Sequence, residues 1–521
     1  MSLSQLPTEL YAAIIRQFDQ EDHKPSLLAL SRAIPFSPVP VHTLFEDIRL
    51  KSSWQVTGLY LRLRKHPEDI AYVRTFALES WTVDADILVN LVALLPNTRE
   101  LTLFVGPNFA PEHLEDLFKK PKSHLKYLSL RFRPYVQRAT YVQFMKGAYF
   151  DSMLSALSLW PRIGLPVVSI IQDPLIQPPG SREKFAQPLV FFHLDPLNTF
   201  AASPVGETVL RLRVRVPGRP VARHIIKDPN ALPNIDLLDL ATSDVNLSHV
   251  QEILCTLIGL KHLILDGCPV VSQRVDTLDA AGAEDFSHWA VLGQTLATTG
   301  LKIAREREQR LQRWLETTAI TQDLQNLHIA PNASPASATK KRRSKVAMSP
   351  FKLRTSSLST SSGPSAQSPV SSFSRQTGNT GVEKIRILPP VPALRSLALT
   401  APMITSGGPD SEDRCAAARA AFELGWAEGL SMLAKKRLLI RASWTNGVRV
   451  MRVVKSGRKP DDETGEDEEG FAGLEDVRIV EEFNIQDERC PLLCLAGPGR
   501  EGRHLDRCPH MLGWDAFKDE L

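Results

Sequence analysis

The sequence predicts an α/β fold: a three-helix N-terminal module, then an irregular solenoid of strand–helix repeats broken by a long disordered insertion. Three observations carry this. A six-residue apolar template recurs along the chain, the segments between its copies have helical periodicity, and residues 331–381 have a composition that cannot build a core.

The first fifty residues hold three short elements. Pro7 suits the first position of a helix, and Leu10, Ile14 and Phe18 follow at spacings of four, making one apolar stripe. Lys24-Pro25-Ser26 restarts a helix that carries Leu27 and Leu28, and HTLFEDIRL supplies a third element. Helices this small have little core of their own and need a neighbour or a partner to cover their apolar faces.

Residues 51–330 carry most of the repeats. VRTFAL (73–78), TRELTL (98–103), LKYLSL (125–130), IDLLDL (235–240), LKHLIL (260–265) and, further on, LRSLAL (394–399) fit apolar-x-x-apolar-x-Leu. Spacings of 25 and 27 residues separate the first three, and 25 separates 235 from 260, a period expected of leucine-rich repeats. Because strand side chains alternate, Leu128 and Leu130 point inward while Tyr127, Ser129 and Arg131 point outward. No single short strand buries its own apolar face, so stacking is required. DADILVNLVALL (84–95) and SHVQEILCTLI (248–258) have the i, i+3, i+4 spacing of intervening helices. Between 131 and 234 the period fails: LSALSLWPRIGLPVVSII (154–171) and the alternating VLRLRVRV (209–216) read either as degenerate repeats or as an insertion.

Residues 331–383 are the disordered linker. The stretch 331–381 has 14 serines, eight Lys/Arg and no Asp/Glu, and buries too little to offset the entropy of ordering it. It contains KKRRSK (340–345), a nuclear-import candidate or plain solubilising charge, and Ser334, Ser349 and Ser368, each before a proline and each a candidate phosphate acceptor. Residues 384–521 complete the array. The helix-like 415–436 precedes two strand-like runs, RLLIRASW and VRVMRVV, which flank Thr445-Asn446-Gly447 as a hairpin capping the array, and an acidic loop occupies 459–470.

The formal net charge of +4 belongs to the linker, because the rest of the chain has 54 basic residues against 58 acidic ones. That balance argues against a nucleic-acid-binding surface. No apolar run approaches the roughly 20 residues needed to span a bilayer, so no membrane partner is expected. Six scattered cysteines suit a reducing compartment. The chain closes on Lys518-Asp519-Glu520-Leu521, an endoplasmic-reticulum retrieval signal, yet MSLSQLPTEL has no signal-peptide character. The ending therefore reads as coincidence and the location as cytoplasmic and/or nuclear.

Enzyme motifs fail on inspection. GPGREG (497–502) has dinucleotide-loop glycines but too little chain after it for the helix and acidic residue such a site needs. Cys490, Cys494, His504, Cys508 and His510 match no standard zinc spacing and read as loop packing, so neither metal nor cofactor is expected.

With LPTEL, YAAIIRQF, SLLALSRA and LFEDIRL in sequence, the N-terminal module resembles an F-box. The following LRLRKHPEDIAYVRTFAL (61–78) is similar to the start of the repeats in fungal F-box proteins with leucine-rich-repeat arrays. The resemblance implies a non-catalytic substrate receptor of an SCF (cullin–RING) ubiquitin ligase. In that reading Leu6, Pro7, Leu10, Ile14, Phe18, Leu27 and Leu28 face a Skp-type adaptor, and through it a cullin. The outward positions Phe104, Tyr127, Arg131, Asp239, His262 and Asp266 face an unidentified protein substrate. The alternative is a leucine-rich-repeat scaffold unconnected to ubiquitin, its N-terminal helices merely capping the array.

Overall fold

Ten strands form one entirely parallel sheet, and nearly every strand lies beside its predecessor in the chain. The computed structural model describes residues 6–15, 17–18, 20–37, 39–133, 150–174, 190–191, 193–271, 286–328, 385–400, 411–454, 473–485 and 489–519. The strands are β1 (Asp47–Leu50), β2 (Thr75–Leu78), β3 (Glu100–Val105), β4 (Tyr127–Phe132), β5 (Val167–Gln172), β6 (Arg211–Arg215), β7 (Leu237–Asp239), β8 (His262–Ile264), β9 (Ile385–Leu388), β10 (Ser396–Ala398), β11 (Arg449–Val453), β12 (Leu474–Asp476) and β13 (Leu492–Cys494). The large sheet runs β1-β2-β3-β4-β5-β6-β7-β8-β10-β13. Each of the six templates supplies one of its strands.

Register explains why the template repeats. Ile48, Phe76, Leu101, Leu128, Val168, Leu212, Leu238, Leu263, Leu397 and Leu493 stand opposite one another, one per strand, in a continuous ladder. All ten are buried in one core. Burying a side chain of this kind contributes roughly 2 kcal/mol, and none of these strands could achieve it alone.

Helices connect most of the strands. They are α1 (Thr8–Ile15), α2 (Gln20–Ala33), α3 (Ser53–Lys65), α4 (Ala85–Ala93), α5 (Pro111–Phe118), α6 (Asp151–Ser158), α7 (Asp195–Ala201), α8 (Val221–Ile225), α9 (Leu247–Thr256), α10 (Ser287–Ala297), α11 (Thr299–His328), α12 (Ser411–Thr445) and α13 (Pro509–Phe517). Residues of α3 to α10 and of α12 share the core with the ladder. Local chemistry starts several of them. Asp84 caps α4 by accepting from the Ile87 amide at 3.1 Å, and Asn246 caps α9 by accepting from His249 at 3.1 Å. Trp160, buried beneath α6, donates its indole N–H to the Phe118 carbonyl at 2.6 Å and ties one strand–helix unit to the one before it.

Several expectations change. The described parts of 131–234 are not foreign to the array: β5 and β6 pair in register between β4 and β7, preceded by α6 and α7. DIRL, expected as part of the helical module, is β1 and pairs with Thr75–Leu78. RLLIRASW is not a strand. It continues α12, because Leu433, Arg437 and Ile440 are buried at helical spacing while Leu438 and Leu439 face outward. The expected hairpin gives way to a three-stranded sheet, β12-β11-β9, in which β11 runs parallel to β9. Gly447 turns the chain out of α12 at φ +85°. Arg437 fastens this end by donating to the carbonyls of Phe483, Glu482, Asn484 and Pro389.

α10 and α12 pack at unusually close range. Gly293 and Gly425 sit where a Cβ would overlap the backbone of Phe422 and Ala290 respectively. Residues Met1–Glu308 with Ile385–Leu521 make one compact unit, and Gln309–Lys384 make a second, which contains the end of α11. The expected linker 331–383 and acidic loop 459–470 lie outside the described residues, as does KKRRSK. Among the described residues, no helix is long and apolar enough to cross a membrane.

Candidate functional site

The sheet face opposite the helices is where outward template positions collect, and the chain covers part of it itself. α13 lies across this face: Ala516 and Phe517 pack on Leu237, with Val167 and Leu512 beside them. Its two ends are fastened differently.

The far end meets a buried charge network. Arg213, 1% exposed, donates from Nε to Asp239 at 2.8 Å and from Nη1 to Asp519 at 2.6 Å. Its guanidinium lies 4.0 Å from the centre of the Phe517 ring. Arg215 adds a 2.7 Å bond from Nη2 to Asp239, and the Ala241 amide donates to the same carboxylate at 3.1 Å. Burial alone would raise the Asp239 pKa, but Arg215 and Arg213 outweigh it and hold it at about 2. Lys518 pairs with Glu100, and the Tyr127 phenol donates to the Phe517 carbonyl at 2.5 Å. Burial pushes that phenol up to about 12. Lys518 and Asp519, two of the four residues of the retrieval-like ending, thus pair with Glu100 and Arg213 of the sheet, while Glu520 and Leu521 lie outside the described residues.

The near end holds a cluster of sulfur and nitrogen donors. Cys494 ends β13, His504 and Cys508 come from the following loop, and His510 begins α13. One ligand atom from each lies within 4.8 Å of all the others. His510 donates to Asp266 at 2.7 Å, and Asp266 also accepts from Thr400 at 2.6 Å. Hydrogen bonding from Cys494 lowers the Cys508 thiol far below its ordinary pKa and raises Cys494 correspondingly. Cys490 is not part of this group; its thiol points to the Pro491 carbonyl. The glycines of GPGREG turn the chain around the cluster rather than around a phosphate: Gly497 adopts φ +80° and Gly499 offers its carbonyl to His504.

The six positions expected to face a substrate therefore divide. Tyr127, Asp239 and Asp266 are buried by the chain's own segments and are not open surface, because α13 and the loop before it occupy the space in front of them. His262 is half-buried, bonded to Ser396 at 2.8 Å, and burial lowers its pKa. Phe104 and Arg131 remain accessible and belong to a cluster that sequence reasoning missed. The Trp81 and Phe104 ring centres lie 4.7 Å apart, tilted by 30°, Arg131 lies 5.5 Å over Phe104 and 2.7 Å from Asp173, and Arg133 lies 6.0 Å over Trp81. Trp81 and Arg133 follow β2 and β4 just past the template, so a search confined to the template passes over them.

The seven residues expected to face an adaptor divide as well. Leu27 is buried with Tyr11 and Ile15, and Leu6 packs against them. Leu10, Ile14, Phe18 and Leu28 are 40–48% exposed, and Pro7 is exposed beside them. Helices α1 and α2 thus close a small core, and because α1 ends at Ile15, Phe18 stands in the turn after it and not on one helical stripe with Leu10 and Ile14.

No protein-family model, no curated protein and no solved structure matches this chain.

Proposed function

We propose that this protein is the substrate receptor of an SCF-type ubiquitin ligase, without catalytic chemistry of its own. Its N-terminal module acts as an F-box seated on a Skp-type adaptor, and its strand–helix array is a leucine-rich-repeat solenoid that presents a protein target. The observation that carries the reading is the exposure of Leu10 and Ile14 on α1, Phe18 in the turn after it and Leu28 on α2, while Tyr11, Ile15 and Leu27 of the same module are packed. Exposed large apolar side chains on so small a module mark a surface awaiting a partner. The F-box-like order of LPTEL, YAAIIRQF and SLLALSRA supplies the partner's class.

Trp81, Phe104, Arg131 and Arg133 are the part of the array best suited to hold a target. Aromatic and arginine side chains dominate the energetics of interfaces, and none of these four is buried.

The test is co-expression of the full chain with a Skp-type adaptor. The complex should co-purify, and Leu10→Asp or Ile14→Asp should abolish it while leaving the unfolding temperature of the chain unchanged. A wild-type chain that never co-purifies with the adaptor removes the ligase reading. The scaffold alternative has one observation in its favour, the tether from Lys24 to Asp47 on β1, which lets the module act as a plain end-cap. In that case Leu10→Asp would leave all partner binding intact.

A further inference from the structure

We infer that Cys494, His504, Cys508 and His510 bind a structural zinc ion that fastens α13 to the sheet. In a tetrahedral zinc site with Zn–S near 2.3 Å and Zn–N near 2.05 Å, sulfur and nitrogen ligands stand about 3.6 Å apart. His504 Nδ1 lies 3.7 Å from the Cys494 sulfur and 3.6 Å from the Cys508 sulfur. Two thiols and two imidazoles at these separations leave room for one ion at their centre.

The second nitrogen of each ring confirms the orientation. His504 Nε2 is 2.6 Å from the Gly499 carbonyl, which can only accept, so that nitrogen carries the proton and Nδ1 keeps its lone pair for the cluster. His510 Nε2 donates likewise to Asp266 at 2.7 Å. Its Nδ1 is buried and makes no hydrogen bond of ordinary geometry, with Cys508 the group it approaches. A buried nitrogen so poorly satisfied is costly, and a metal bond relieves it. Asp266, itself steadied by Thr400, completes the carboxylate–histidine arrangement that holds metal-ligating rings in place.

Charge favours the same assignment. One divalent ion and two thiolates sum to zero, as suits a site whose Cys494, Cys508 and His510 are all buried. Four protein ligands leave no open position, so the ion is structural rather than catalytic. The S₂N₂ set selects zinc over the oxygen-seeking cations. The ligands come from β13, the glycine-containing loop and the start of α13, and the outer carboxylate comes from the end of β8. One ion therefore clasps the chain between residues 494 and 510 on itself, and through His510 ties it to Asp266, just past β8.

Elemental analysis of the full-length protein, purified without chelator, tests this. About one zinc per chain is expected. Replacement by cobalt should give the visible absorption of a tetrahedral site with thiolate charge-transfer bands. The Cys494→Ser/Cys508→Ser double variant should lose the ion, and Cys490→Ser, altered outside the cluster, should keep it. Should the double variant fail to fold, the cobalt spectrum of the wild type decides alone. Wild-type protein with no bound metal after exposure to zinc, or a Cys494–Cys508 disulfide found by peptide mapping of protein kept under reductant, overturns the assignment. The outcome is independent of adaptor binding, whose surface lies on α1 and α2.

Discussion

Arg213 and Asp519 lie 306 residues apart in the chain, yet the carboxylate of one is gripped by both terminal nitrogens of the other. The pair closes the tail over the sheet. Asp519→Ala should cost about 2 kcal/mol, since Arg213 keeps Asp239 as a second partner and only part of a buried pair is lost. Urea unfolding measures the cost. Faster amide exchange confined to 509–519 would show that the loss is local to the tail.

Acid should weaken the same network. The Asp239 carboxyl has its pKa lowered from an ordinary 3.8 to about 2. A lowered carboxylate pKa adds stability that is fully present above the unfolded value and is lost as pH falls through the folded one. About 2 kcal/mol should disappear between pH 4 and pH 2. Urea midpoints across that window read it, and Asp239→Asn should flatten this part of the slope.

Two leucines on the N-terminal helices should behave oppositely. Leu27 is 2% exposed, and Leu27→Ala should destabilise the module by about 3 kcal/mol through the cavity it leaves. Leu10 is 48% exposed, and Leu10→Asp should change stability by less than about 0.5 kcal/mol while removing adaptor binding. Thermal unfolding and co-purification of the two variants separate these roles.

Glycines offer a second contrast. An added methyl at Gly425 collides with the Ala290 backbone, so Gly425→Ala should cost about 3 kcal/mol as α10 and α12 are forced apart. Gly58 sits inside α3 with nothing within 4 Å of a new Cβ, so Gly58→Ala should stabilise by about 1 kcal/mol. Calorimetry on both variants gives the signs.

Where the amino-acid pattern carried a local rule, the fold was readable from it. The alternation in LKYLSL or LKHLIL is enforced by burial on one side of a sheet, so each became a strand. β5 and β6 obey the same alternation but are spaced by longer connections, which hid them from a period-based reading. RLLIRASW is rich in residues that suit strands, but spacing along α12 decides its state. The donor cluster was illegible for another reason. Its members are close in sequence without a familiar spacing, and the carboxylate that orients His510 is 244 residues away. Distance also concealed the burial of Asp239 and Asp266, since what covers them is encoded near the opposite end of the chain.

The fastening of α13 sets an order on synthesis. Residues 509–519 are made after every strand of the large sheet, so any part of the sheet that forms during synthesis forms with that face bare. At that stage Arg213 and Arg215 share one carboxylate, Asp239, and the nascent protein carries a surplus positive charge at its centre. Asp519 neutralises it once α13 is in place. A chain without that carboxylate would keep its leucine ladder and present an open cationic face where the folded molecule has an ion pair.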